Sequence, residues 1–370
     1  MRSNYALLIL LLVICSGAAS AQSRRVAPTP TPTPTPEDIE RVPTEEIKLN
    51  VLAFDEAGKF YSGVGINDLV ITENDVLHQP TAVRRLPANV LIVLDTGGEF
   101  RSVKSLDQTK KTAVAVIDAL APDDSIAILQ YSDKAEILGE WTTDRRRTMA
   151  ALARAKFGKT SAFIAALDMS RDFLEKNPLD NRHLVLITDG TDSSGNRDKK
   201  LAAFNSLLAT DISVHVISYS RLEAEDITPR TKVLSNNPPP KAMPDEINAT
   251  LPPGVRRDPQ TQPRVGPTIN MDRKMLKTMK NRKADLEASE LQLARVTTDS
   301  NGEFIVPESV DEMVEKAPIV AKMIDSSYVV TYVPKTPIAG GSGPKERNIL
   351  VTSKRPGLLV EARRKVVAEP

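Results

Sequence analysis

The first regular pattern along the chain is an alternation. Ile47, Leu49, Val51 and Ala53 fall at period two and predict a strand. Asp55-Glu56-Ala57-Gly58 reads as a turn, Val64, Leu69, Val70 and Ile71 as more strand, and Glu73-Asn74-Asp75 as a second turn. These pieces are too short to make a sandwich alone and need strands from elsewhere. The pattern then changes. Val90 to Leu94 is apolar throughout, as in a parallel strand buried on both faces. An amphipathic helix follows, with Leu106, Ala113, Val114, Ile117 and Leu120 along one face. Further strands at Ser125 to Tyr131, Ala135 to Leu138, Leu184 to Thr188 and Ile212 to Ser218 alternate with helices at Arg147 to Lys156, Ala162 to Leu174 and Lys199 to Leu208. That alternation predicts an α/β fold with a doubly wound, mostly parallel, Rossmann-like sheet.

Periodicity lapses between Arg221 and Arg282. Pro238-Pro239-Pro240, Pro252-Pro253, Pro263 and Pro267 lie there among polar residues with few apolar anchors, which predicts a loop or disordered insertion. A helix at Ala284 to Val296 and a strand at Phe304 to Val306 follow. A stripe of Val310, Met313, Val314, Ala317, Val320 and Ile324 then predicts a helix, with Pro318 placed to kink it. Tyr328 to Val333, Ile349 to Thr352 and Leu358 to Val360 return to β character and can complete the N-terminal strands as one small β domain.

The N-terminus reads as an export signal. Arg2, the apolar stretch Ala6 to Cys15 and Ala19-Ser20-Ala21 supply its three parts, and the stretch is shorter than the ~20 residues that span a bilayer. Ile14 precedes Cys15 where lipidation wants a small residue. Cleavage after Ala21 removes the one cysteine, so no disulfide is expected, and no membrane span remains. Pro28 to Pro36 alternates proline and threonine, a stiff polyproline II spacer. The expected plan is a leader at 1–21, a Pro/Thr-rich linker at 22–44, a β flank at 45–87, the α/β domain at 88–220 and 283–325 around an insertion at 221–282, and a second β flank at 326–364. The predicted location is exported: periplasmic, cell-surface or secreted. A net charge of +1 argues against nucleic acid as a partner.

In an open parallel sheet, ligands bind beyond the carboxyl ends of the strands. Asp95 and Asp189 both follow predicted strands, and either could instead cap the turn after its strand. With Pro122-Asp123-Asp124 before Ile126 to Ser132, and Ile187-Thr188-Asp189-Gly190, they give a chain that resembles the von Willebrand factor type A family from about Val90 to Ile324, insertion excluded. The flanks resemble those of the acidobacterial group of such proteins, through Val51, Asp55 and Gly58 on one side and Tyr328, Tyr332 and Pro334 on the other.

The resemblance implies a binding module rather than an enzyme, with a divalent cation (Mg²⁺ or Mn²⁺) at the top of the sheet and an unidentified protein as partner. In the family the ligands are Asp-x-Ser-x-Ser, a later Thr and a further Asp. Carried over, the aspartates are Asp95 and Asp189, and the Thr falls on Thr160 or Ser161, with spacing favouring Ser161. The serines are replaced by Gly97 and Glu99. Such an ion wants about six oxygens. Gly97 removes one, and Glu99 offers a carboxylate, so the site is either weakened or lost, or rebuilt around Glu99. Two functions follow: an adhesion or assembly module binding across the sheet top, or an envelope scaffold without metal-dependent binding. An open rim favours the first, and a rim covered by the insertion favours the second. The Asp95-Thr96-Gly97 triplet also matches aspartic peptidases, but that chemistry needs an all-β fold and a second such triplet, whereas Asp189-Gly190-Thr191 has the reverse order. His78, His183 and His215 lack metal-ligand spacing and read as structural, and Arg145-Arg146-Arg147 and Lys199-Lys200 read as solvated faces.

Overall fold

The computed structural model describes residues 46–98, 103, 105–176, 179–235, 268–269, 272–336 and 346–367. The expected leader and Pro/Thr linker, Glu99, and most of the proline-rich stretch lie outside them. In chain order the N-terminal flank gives β1 (Ile47–Phe54), β2 (Leu69–Glu73), β3 (Val76–His78) and β4 (Ala82–Arg84). The α/β part gives β5 (Asn89–Asp95), α1 (Leu106–Ala119), β6 (Ser125–Tyr131), β7 (Ala135–Thr142), α2 (Arg145–Ala153), α3 (Phe163–Lys176), β8 (Arg182–Thr188), α4 (Arg197–Leu208) and β9 (Ser213–Ser218). Then come α5 (Ser220–Ile227), β10 (Leu234–Ser235), β11 (Thr268–Ile269), α6 (Arg273–Asp299), β12 (Phe304–Ile305) and α7 (Val310–Asp325). The second flank supplies β13 (Ser327–Tyr332), β14 (Glu346–Ser353), β15 (Leu359–Ala362) and β16 (Lys365–Val367).

The central sheet runs β12-β9-β8-β5-β6-β7, parallel except for β7, which pairs antiparallel with β6. Its inner strands bury both faces, as their unbroken apolar runs require. Val90, Ile92 and Leu94 face α1 and α7, while Leu91 and Val93 face α3, α4 and α6. Side chains cap the helices at their starts: Ser105 accepts from the Gln108 N–H, Asn196 from Lys199 and Ser309 from Glu312. Pro318 lies inside α7, which runs on as one helix.

The flanks interleave. One antiparallel sheet is ordered β15-β1-β13-β4 and the other β16-β14-β2-β3, so each mixes strands from both ends of the chain around a shared core of Leu49, Val51, Leu69, Ile71, Val330 and Tyr332. Within that core Arg347 on β14 is ion-paired with Glu73 on β2, which also accepts from the Tyr332 hydroxyl at 3.1 Å. This β unit meets the amino ends of the central strands. Asn50 donates to Ser213 at the start of β9 (3.0 Å), Lys48 pairs with Asp180 just before β8, and Arg363 donates to the Thr210 carbonyl. The carboxyl ends are left for a site.

Two expectations need correction. The segment from Arg221 to Arg282 is not wholly irregular. Helix α5 occupies its start, β10 and β11 pair within it, and α6 begins at Arg273, eleven residues before the expected Ala284. The reason is a local core: Ala224 and Ile227 of α5 pack on Met279 and Leu286 of α6, and Asp272 caps α6 by accepting from the Met275 N–H at 3.0 Å. The two basic runs are not plain solvated faces either. Arg145 donates to the carbonyls of Leu120, Ala121 and Asp124, and Lys200 is buried.

Candidate functional site at the carboxyl ends of the strands

Strands β5 and β8 are parallel neighbours, with Leu94 opposite Ile187, so Asp95 and Asp189 emerge side by side at the same end of the sheet. Both are fully buried. The Asp95 carboxylate accepts from the Tyr219 hydroxyl at 2.5 Å and from the Thr188 hydroxyl at 3.5 Å. Thr188 is in turn bonded to the Tyr131 hydroxyl at 2.6 Å, so Asp95 sits in a buried network reaching β6 and the start of α5. Asp189 has different partners. One oxygen accepts from the Thr191 amide (2.8 Å) and hydroxyl (2.6 Å), a turn-capping pattern. The other accepts from Arg282 of α6 at 2.7 Å, and the same guanidinium reaches the Thr191 hydroxyl at 2.5 Å. Arg282 is the residue that sequence reasoning missed. It is the last residue of the expected insertion at 221–282, although Leu276, Met279, Leu286 and Leu293 carry a helical spacing that continues through it.

Ser161 and Thr160 point to different partners. Ser161 is buried, and its hydroxyl donates to the Thr191 carbonyl at 2.7 Å, beside Asp189. Thr160 is exposed and donates to Asp133 at 2.7 Å, and these Thr160 hydrogen bonds hold the Asp133 carboxyl below its usual range. Gly97 forms a parallel bridge with Gly158, and a Cβ placed on it would lie 2.0 Å from the Thr160 carbonyl oxygen. A serine is therefore sterically excluded at that position in this backbone. Among the described residues no group of three or more His, Cys, Asp or Glu side chains is arranged to hold a metal ion.

A cleft of about 510 Å³ opens beside Asp189, between α4 and α6. Its walls include Thr191, Asn196, Lys200, Asn281, Arg282 and Gln292. At the other end of the sheet the histidines are mutually satisfied. His183 Nδ1 and His215 Nε2 are 3.0 Å apart, Asn181 holds His183 at 2.9 Å, and the Glu303 amide donates to His215 Nδ1 at 3.0 Å. Burial pushes the pKa of His215 down to about 3 and that of His183 well below the ordinary imidazole range.

A family model described as the von Willebrand factor type A domain matches residues 90–191. An uncharacterized protein of Synechocystis is 28% identical over 149 residues, and the match covers 39% of this chain and 35% of that protein, about a third of its length. Among solved structures, an aerotolerance-related membrane protein of Bacteroides fragilis is 18% identical, covers 64% of this chain and 98% of its own, and has a TM-score of 0.37. A von Willebrand factor type A protein of Catenulispora acidiphila is 12% identical, covers 83% and 75%, and has a TM-score of 0.41. The family match falls on the parallel strands and helices that deliver Asp95 and Asp189. The chain thus carries a von Willebrand factor type A domain, joined to an antiparallel β unit built from its own two flanks.

Proposed function

We propose that this protein is an exported, non-enzymatic binding module whose type A sheet top recognises a protein partner without a resident divalent cation. The observation that carries the reading is Arg282 on Asp189 at the edge of an open cleft. The position where the family would offer a carboxylate to a metal already has a cation of the protein's own. Asp95, Thr160 and Ser161 are likewise engaged with protein partners, and the serine position at Gly97 is closed. These donors do not fit an ion that wants about six oxygens. Export is read from the N-terminal sequence. No helix among the described residues is long and apolar enough to cross a membrane.

Thermal melts of the mature protein in chelator and in about 1 mM Mg²⁺ or Mn²⁺ test the metal-free reading. A millimolar Kd adds about 0.4 kcal/mol and a micromolar one about 4 kcal/mol. The expected shift is under about 1 °C, and a rise of several degrees would overturn the reading. A photo-crosslinking residue at Gln292, compared with one at Asp123 by the amino ends of the strands, tests where a partner lies. A chelator-resistant adduct from Gln292 alone is expected.

The scaffold reading has one observation in its favour. Arg282, which covers Asp189, comes from the segment read as insertion. Adducts from Asp123 alone would favour it.

A further inference from the structure

Lys200 stands out among the buried charges. It is 8% exposed, and its ammonium donates to Ser289 at 2.8 Å and lies 5.7 and 5.9 Å from the ring centres of Phe163 and Phe204. An ammonium carries three donors. The carboxylates around it are committed elsewhere. Asp189 pairs with Arg282 at 2.7 Å and Asp285 with Arg197 at 3.1 Å, while Asp192 accepts from the Ile164 and Ser194 amides. Burial pushes the Lys200 amine down to about 8, against the pull of Asp189, Asp192 and Asp285 and with a small push from Arg197.

The side chain lines the cleft between α4 and α6, whose volume of about 510 Å³ suits a small polar group with the peptide units beside it. Asn196, Asn281 and Gln292 on its walls can both donate to and accept from such units. We propose that this cleft is a carboxylate site in which the Lys200 ammonium directly receives an acidic side chain of a protein partner. The inference rests on the reading of the sheet top as the recognition face. Charge balance selects the ligand. The charged walls are Arg197, Lys200 and Arg282 against Asp192 and Asp285, so one cation is left over, which a monoanion neutralises and a phosphate dianion overruns.

The test uses the mature protein labelled at lysine Cε, in chelator, with the peptide Ac-Ala-Glu-Ala-NH₂ and its Gln counterpart as probes. Lys200→Met identifies the resonance and keeps an apolar stem over Phe163 and Phe204, so it is expected to fold. At about 20 mM the Glu peptide half-fills even a site of that Kd. Half-filling raises the Lys200 midpoint by about 0.3 unit and a Kd of about 2 mM raises it by about one unit, and the affinity should fall roughly tenfold between pH 7 and pH 9 as the amine loses its charge. The Gln peptide should do neither. A Glu peptide that leaves the Lys200 signal unmoved, or that binds Lys200→Met equally well in chelator, overturns the inference. Binding that requires added Mg²⁺ and persists in Lys200→Met overturns the metal-free reading instead.

Discussion

The most direct test of the rim is to remove its internal cation. Arg282→Met deletes the guanidinium and keeps most of the apolar stem, leaving Asp189, fully buried, with only Thr191 of the bonds described above. Losing one partner of a buried ion pair costs about 3–5 kcal/mol. The Arg282 side chain is 17% exposed, so water reaches part of the pair and screening brings the cost below that range, to about 2–3 kcal/mol. Asp189→Asn should cost a similar amount by stranding the arginine. If the two groups serve chiefly each other, the double variant should cost less than the sum of the single ones, with a coupling of about 2 kcal/mol. For a domain of this size, each kcal/mol moves the melting temperature by about 2 °C, so either single variant should lose about 5 °C. Urea titrations of the four proteins at neutral pH measure the cycle. Additive losses, with coupling below about 0.5 kcal/mol, would mean that the Arg282–Asp189 contact does not hold this rim together.

Two further outcomes are expected. Gly97→Ser, which restores the family's residue type, should destabilise by at least about 1–3 kcal/mol because its Cβ meets the Thr160 carbonyl at 2.0 Å, and it should add no Mg²⁺ response in melts. Lowering the pH from 7 to 5.5 should cost about 1 kcal/mol for each of His183 and His215, partly offset by Asp325, whose carboxyl burial raises to about 6; unchanged urea midpoints would show that the folded imidazoles already take up protons. The sign follows from the depressed histidines. Only the unfolded chain gains their protons below about 6.5, so that part of the stability is lost as pH falls from there towards the folded value near 3.

The central sheet was legible because its strands are buried on both faces, and a run such as Val90 to Leu94 has no competing reading once helices flank it. The β flanks were legible as strands through alternation. Their joining was an inference from incompleteness, since neither end holds enough strands to close a core alone. The start of α6 was hidden for a physical reason. It buries only a narrow stripe, Leu276 and Met279 in its first two turns, among lysines and arginines that keep mean hydropathy low, and prolines precede it. Asp95 and Asp189 could be found because an acid after an apolar strand is a local signal. Their partners Tyr219 and Arg282 could not, because each is more than ninety residues distant in sequence and is brought in by a helix whose docking no local pattern specifies. Lys200 misled for the same reason. A lysine pair looks solvated until Ser289 and two phenylalanines close over one of its members.

Delivering a cation on a helix differs physically from binding one out of solution. A bound ion stabilises in proportion to the logarithm of its concentration over Kd, so its effect depends on the surroundings. A guanidinium fixed to α6 is always present, and the energy that positions it is the packing of that helix. Leu293 and Val296 seat α6 against the central sheet, and Met279 and Leu286 seat it against α5. Arg282 therefore reaches Asp189 only when both contacts are made, and the charge of Asp189 is neutralised by the same event that forms one wall of the cleft. Gly190, in the left-handed region at φ +69°, sharpens this dependence, because a Cβ there would lie 2.7 Å from the Leu293 side chain. A side chain at Gly190 would have to adopt a positive φ and displace Leu293 of α6, so the rim chemistry and the docking of α6 form one cooperative unit.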